Sequence, residues 1–312
     1  MLVKYITDKT EKDNPPAGRF IEVDGVQLHY LERGKGIPVV FLHGNGSMAQ
    51  EFEISSLLGL AANKYRGIAF DRPGYGYSER PADKTWDPKA QADLLHKALQ
   101  RLEVERPIIV GHSWGTMVAV SLAIEYPEYA RSLVLLSGYF YPTPRLDALL
   151  LSPPAIPIVG DIMRHTLSPF IGRMIWPALI RKYFSPSAVT ARWEAEFPVW
   201  MTLRPSQILA SSAESAMMVP EALRLSGRYG ELRLPVIIMA GANDIHVTTK
   251  IHSERLHREL PQSQLILVPD VGHMIHHVAP DQVLGAIDMA AETQSGLHSS
   301  GLPALYSRRS LL

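Results

Sequence analysis

The sequence predicts an α/β fold: a mostly parallel, doubly wound sheet with helices on both faces, interrupted by a helical insertion. Three observations carry this. Short β-branched runs alternate with stretches of helical periodicity, the pattern of a parallel sheet covered on both faces. The alternation stops after Tyr139 and resumes at Leu234. Between a strand-like and a helix-like stretch stands Gly111-His112-Ser113-Trp114-Gly115, the context of a sharp strand-to-helix turn that presents a serine.

Taken in order, residues 1–18 read as a loose polar N-terminal arm. Phe20–Val23 and Val26–Tyr30 alternate apolar and polar residues around Asp24-Gly25, a hairpin signal because both turn residues must adopt positive φ. Val39–Leu42 is a buried-strand run ending in His43-Gly44-Asn45-Gly46. Gly67–Phe70 is another, running into Asp71-Arg72-Pro73-Gly74-Tyr75-Gly76-Tyr77-Ser78. Lys89–Leu102 places Leu94, Leu95, Ala98 and Leu102 on one helical face. Pro107–Val110 is the strand before the serine, Thr116–Glu125 the helix after it, and Ser132–Leu136 the next strand. Residues 140–229 hold only helical fragments: Leu146–Leu151, Gly172–Phe184, Ala188–Phe197 and Pro205–Ala216. Val236–Met239 and Gln264–Val268 are the last strands, with helices expected over Thr248–Leu260 and Pro280–Ala291, where proline opens the helix. The core is thus 19–139 with 230–291. The Ser/Gly-rich stretch from Thr293 predicts a mobile tail, 292–312.

Composition narrows the functional classes. Thirty-one Lys and Arg balance thirty-one Asp and Glu over 312 residues, so nothing points to nucleic acid or an anionic membrane surface. There is no cysteine, which excludes disulfides, thiolate metal sites and a cysteine nucleophile, and fits a reducing cytoplasm. Met1–Asn14 lacks the apolar stretch of a signal peptide. The apolar run Leu149–Gly160 is broken by three prolines, so no membrane span is expected. Neither a cofactor nor a metal is expected, the histidines showing no H-E-x-x-H pattern. The expected partner is a small-molecule substrate. The oligomeric state is not readable.

A serine hydroxyl attacks a carbonyl only if a base takes its proton and a carboxylate orients that base. Ser113, Asp244 and His273 supply these groups, each directly after a strand, where ligands of such sheets bind. Ser137 follows its strand with no carboxylate beside it, and Asp270, three residues before His273, is expected to shape the loop. His112 is expected to point away from the site, His252 and His257 to be solvated, and His276 and His277 to be ordinary. The negative oxygen of a tetrahedral intermediate needs preorganised N–H donors. Trp114 supplies one, and Asn45 is favoured for the other over Gly46.

On His43-Gly44, Asp71-x-Pro73-Gly74-x-Gly76-x-Ser78, Gly111-x-Ser113-x-Gly115, Asp244 and Gly272-His273, the chain resembles the α/β-hydrolase superfamily over roughly 20–139 and 230–291. The resemblance implies an α/β-hydrolase fold in which 140–229 is a helical lid. It also implies a serine hydrolase working through a covalent acyl-enzyme, most simply a carboxylic ester hydrolase for a small to medium apolar ester. Dehalogenases and epoxide hydrolases of the superfamily use an aspartate where Ser113 stands. Serine members that remain open are peptidases similar to proline iminopeptidases (His112 replacing their usual glycine), C–C hydrolases and cofactor-free haloperoxidases or perhydrolases. Outside enzymes, a ligand receptor or pseudo-enzyme on the same fold remains. The Asp71–Ser78 loop is read as structural. Among the lid aromatics, Trp176, Trp193 and Trp200 are the expected substrate contacts.

Overall fold

The computed structural model describes residues 1–293. Eight strands form one sheet in the order β1-β2-β4-β3-β5-β6-β7-β8. They are β1 (Arg19–Val23), β2 (Val26–Arg33), β3 (Ile37–Leu42), β4 (Tyr65–Phe70), β5 (Ile108–His112), β6 (Ser132–Leu136), β7 (Val236–Gly241) and β8 (Ser263–Val268). The first two make the hairpin, closed by Asp24 and Gly25 at φ 51° and 76°, with Val23 opposite Val26. β2 also pairs antiparallel with β4, and every later pairing is parallel. Strand order reverses between β3 and β5. The connections leaving their carboxyl ends therefore part to opposite sides of the sheet, and ligands of such sheets bind in the crevice between them.

The strands bury both faces. In β3, Val40 and Leu42 pack with Leu94, Leu95, Met117 and Val118 of the helices Pro88–Arg101 and Gly115–Glu125. The alternate residues Val39 and Phe41 pack with Phe52, Leu57, Val283 and Ile287 on the other face. That period of two inside a continuous apolar run is why these strands read as runs rather than alternations. Asp87 caps the Pro88–Arg101 helix, its carboxylate accepting from the Ala90 N–H at 2.7 Å.

Between β6 and β7 the chain is helical, with its longest pieces at Ser168–Phe184 and Pro205–Ser226. Ile180, Phe184, Trp193, Phe197 and Met201 of this segment pack with Met48 and Met274 of the core. The N-terminal arm is not loose: Leu2–Asp13 is a helix. Lys4–Asp8 and Lys9–Asp13 pair one turn apart, and Glu11 pairs with Arg204 at 2.7 Å. Its inward face, Val3, Ile6, Thr7 and Thr10, recurs at i, i+3, i+4 and i+7 and buries Val3 and Thr10, while the exposed i,i+4 pairs add only about 0.2–0.5 kcal/mol each. The tail expected to be mobile lies, from residue 294 on, outside the described residues. Among the described residues no helix is long and apolar enough to cross a membrane.

Candidate active site

Ser113 follows β5 with φ of 51°, a backbone conformation that side chains disfavour. The glycines flanking it are forced by space. A Cβ on Gly115 would stand 2.2 Å from the Leu42 carbonyl oxygen, and one on Gly111 2.7 Å from the Gly115 carbonyl oxygen. The turn presses into the end of β3 and folds back on its own strand, so the serine projects from the carboxyl edge.

The loops after β7 and β8 bring Asp244 and His273 to it. The Ser113 hydroxyl donates to His273 Nε2 at 3.0 Å, and His273 Nδ1 donates to Asp244 Oδ2 at 2.7 Å. Asp244 Oδ1 accepts the backbone N–H groups of His246 and Val247, both at 2.8 Å, which fixes the carboxylate plane. The backbone N–H of His273 donates to the Tyr183 carbonyl at 2.9 Å, and His112 Nε2 donates to the His273 carbonyl at 3.1 Å. Asp270 stands apart from this chain, its own N–H donating to the Asn243 side chain.

The loop after β3 lies against the serine: a Cβ on Gly44 would come within 3.1 Å of Ser113 Cβ. Its carbonyls are gripped from behind. Arg72 Nε donates to the His43 carbonyl at 2.9 Å and Arg72 Nη2 to the Gly44 carbonyl at 3.0 Å. His43 Nδ1 donates to the same Gly44 carbonyl at 2.8 Å, while its Nε2 accepts the Arg72 backbone N–H at 3.0 Å. That bonding requires a neutral imidazole, and burial, with Arg72 beside it, brings His43 down to about 4. In a planar trans peptide the C=O and N–H point in opposite directions. Holding the Gly44 carbonyl therefore turns the Asn45 N–H away from Arg72.

Arg72 in turn forms a buried ion pair with Glu214, on the Pro205–Ser226 helix. Glu214 also accepts from Tyr75 Oη at 2.7 Å and from Gln91 Nε2 at 3.0 Å. Asn45 reaches the same helix, donating to the Ser211 carbonyl and the Ser215 hydroxyl at 3.1 Å each. Sequence reasoning missed Arg72, Glu214 and His43 as organisers of the site. Only His43-Gly44 and the Asp71–Ser78 motif signalled them, and Glu214 lies in a helix without a motif. The Asp71 carboxylate itself binds the N–H groups of Ala49 and Tyr77, as a structural loop would.

A cavity of about 350 Å³ opens onto Ser113 and His273. Leu151, Ile171, Leu179, Ile208 and Met218 are among its apolar lining. Trp176 and Trp193 line it too. Trp200 does not: its short helix Val199–Thr202 turns Thr202 to the cavity, and Trp200 packs edge-on against Phe170. Beneath the cavity lies a second buried cluster, of which the sequence reading weighed His112, His276 and His277 but not Glu51. Glu51 receives the Ser47 hydroxyl and stands 3.6 Å from His276 Nε2 and 3.9 Å from His112 Nδ1. Burial alone would raise the Glu51 carboxyl, but these histidines outweigh it and hold it near 2. Glu51, His276 and His277 each bring a potential metal-ligand atom within 4.8 Å of the others. His112 thus borders the cavity instead of turning from it, His276 and His277 are buried, and His252 is buried rather than solvated, capping the Phe140 and Tyr141 N–H groups.

Comparison with known proteins bears on this geometry. The family model described as alpha/beta hydrolase fold matches residues 37–280. The chain is 27% identical to haloalkane dehalogenase 2 of Mycobacterium tuberculosis over 88% of its length and 94% of the relative's. It is 36% identical to the 2-hydroxymuconate semialdehyde hydrolase of a Pseudomonas species, over 44% of this chain and 50% of that one. The solved meta-cleavage product hydrolase of Pseudomonas fluorescens superimposes with a TM-score of 0.72 at 21% identity, covering 90% of this chain and all of that one.

Proposed function

The chain belongs to the alpha/beta hydrolase fold family, and from that premise we propose that it is a serine hydrolase for small to medium apolar carboxylic esters. The observation that carries the reading is the hydrogen-bonded series Ser113–His273–Asp244, at 3.0 and 2.7 Å, on a serine held at φ 51°. Ser113 Oγ attacks the carbonyl carbon as His273 Nε2 takes its proton, and Asp244 stabilises the resulting imidazolium. The Asn45 and Trp114 N–H groups receive the negative oxygen of the tetrahedral intermediate. The intermediate collapses to an acyl-serine as His273 returns the proton to the departing alcohol. Water, deprotonated by His273, then attacks the acyl-serine to release the acid and regenerate Ser113.

Serine at this position speaks for a carbonyl substrate over a haloalkane. Displacement of halide by a serine alkoxide would leave an alkyl ether, which has no carbonyl carbon for water to attack. We propose the helical segment 140–229 as the lid and Trp176 and Trp193 as its substrate contacts. Excluding water there strengthens the N–H contacts to the developing oxyanion, and the apolar wall suits an aliphatic or aromatic acyl group. The absence of cysteine supports a cytoplasmic setting. A second reading, hydrolysis of a C–C bond beside a ketone, is favoured by the 36% identity over 142 residues to the 2-hydroxymuconate semialdehyde hydrolase.

The test is twofold. A fluorophosphonate probe should label the wild type and not Ser113→Ala. A rate panel of p-nitrophenyl esters, lactones, peptide arylamides and a vinylogous 1,5-diketone should give its highest kcat/KM with an ester. Highest turnover of the diketone selects the C–C reading. Labelling without turnover of any substrate leaves the ligand-receptor reading.

A further inference from the structure

Of the twenty-two large apolar side chains exposed among the described residues, thirteen fall between Leu146 and Ile175. Scattered singly, exposed apolar residues need no explanation, but a concentration of this size marks an interaction surface. It spans the helices Leu146–Leu151 and Val159–His165 and the first half of Ser168–Phe184. Two further observations identify its partner. First, the patch is continuous with the cavity: Leu150, Leu151, Ile171 and Ile175 are exposed outside and also line the cavity that reaches Ser113. The mostly apolar lining of the cavity thus extends from the patch to the serine. Second, the segment is basic within a neutral protein. From Phe140 to Phe184 it has five Arg and Lys against two Asp. Both aspartates are already paired, Asp147 with Arg145 and Asp161 with Arg164. Arg173, Arg181 and Lys182 remain exposed.

We propose that this face docks on an anionic lipid surface, the apolar side chains entering the acyl boundary while Arg173, Arg181 and Lys182 sit among the headgroups. The protein lies on the membrane without spanning it, and takes its apolar substrate from the bilayer into the cavity. Docking stands on the patch alone; delivery of an ester rests on the hydrolase reading above. Electrostatics and apolar burial act together in such binding, and each is marginal alone.

Co-sedimentation of the full chain with vesicles tests this without using turnover. Vesicles of phosphatidylcholine mixed with phosphatidylglycerol should retain the protein, and phosphatidylcholine alone should retain about tenfold less. The variant Leu149→Glu/Ile162→Glu/Met174→Glu, none of whose sites lines the cavity, should lose binding to the mixed vesicles about tenfold or more. It should still hydrolyse a water-soluble p-nitrophenyl ester at the wild-type rate. Failure of the folded wild type to bind mixed vesicles overturns docking. So does a stable dimer in sedimentation equilibrium that the triple variant dissolves, because a second copy would then cover the face. Vesicle binding by a protein that hydrolyses no ester leaves docking standing and overturns the hydrolase reading instead.

Discussion

Groups that do no chemistry hold the proposed site in place: the His246 and Val247 N–H groups fix Asp244, and His112 and Tyr183 fix the His273 backbone. Ser113→Ala is expected to lower kcat on the best ester by on the order of 10³-fold or more with an unchanged unfolding midpoint; wild-type turnover by this variant removes Ser113 as nucleophile. Asp244→Asn offers His273 Nδ1 an amide in place of a carboxylate, and kcat should fall by roughly 10³–10⁴-fold. If Asp270→Asn did this and Asp244→Asn did not, the orienting acid would be the wrong one. Glu214 makes a subtler case. Glu214→Gln keeps the volume but leaves the Arg72 guanidinium buried without its counter-charge. That should cost about 3 kcal/mol in urea unfolding. It should also lower kcat more than it raises KM, because the Arg72 grip on the Gly44 carbonyl sets the direction of the Asn45 N–H. An unfolding cost with intact kcat would make the ion pair purely structural.

At the scale of elements, the strands, the hairpin and the helices around the core were legible because each carries a local signal, such as the Asp24-Gly25 turn or the Leu94–Leu95 stripe. Ser113, Asp244 and His273 were legible as the ends of such strands. The Leu2–Asp13 helix was not, because its inward face, Val3, Ile6, Thr7 and Thr10, has the helical period but only two apolar members, too faint a stripe among so many charges. The Glu51–His276 pair joins residues from opposite ends of the chain and leaves no trace in either segment. The tryptophans of the helical segment show the same limit. Composition marked all three, but only the path of the short Val199–Thr202 helix separates Trp200 from Trp176. Trp176→Ala is accordingly expected to shift the ratio of kcat/KM between long and short acyl esters by about one to two orders of magnitude, whereas Trp200→Ala should leave the ratio unchanged. Equal behaviour of the two variants would mean that the cavity wall does not select the acyl group.

For the whole molecule, the number of neutral buried histidines sets the acid limit of stability. Burial lowers His43 and His252 from 6.5 to about 4, and it holds His112, His246 and His277 well below their ordinary value. In the unfolded chain each takes a proton near pH 6.5, so the unfolded state binds more protons than the folded one below that point. Stability is full above about pH 6.5 and declines from there toward pH 4, by about 1.4 kcal/mol per pH unit for each such imidazole. Calorimetry should show Tm flat from pH 8 to 7 and falling steeply below 6. A Tm that rises on acidification would mean that these imidazoles are charged in the folded protein. The Arg72–Glu214 pair also matters to anyone who would exchange the helical segment between β6 and β7 for a relative's. One half of the pair belongs to the sheet core and the other to that segment, so the two are not independent modules. A chimera whose imported helix lacks an acid at position 214 would strand a cation in the core, and residues 72 and 214 must be transplanted together.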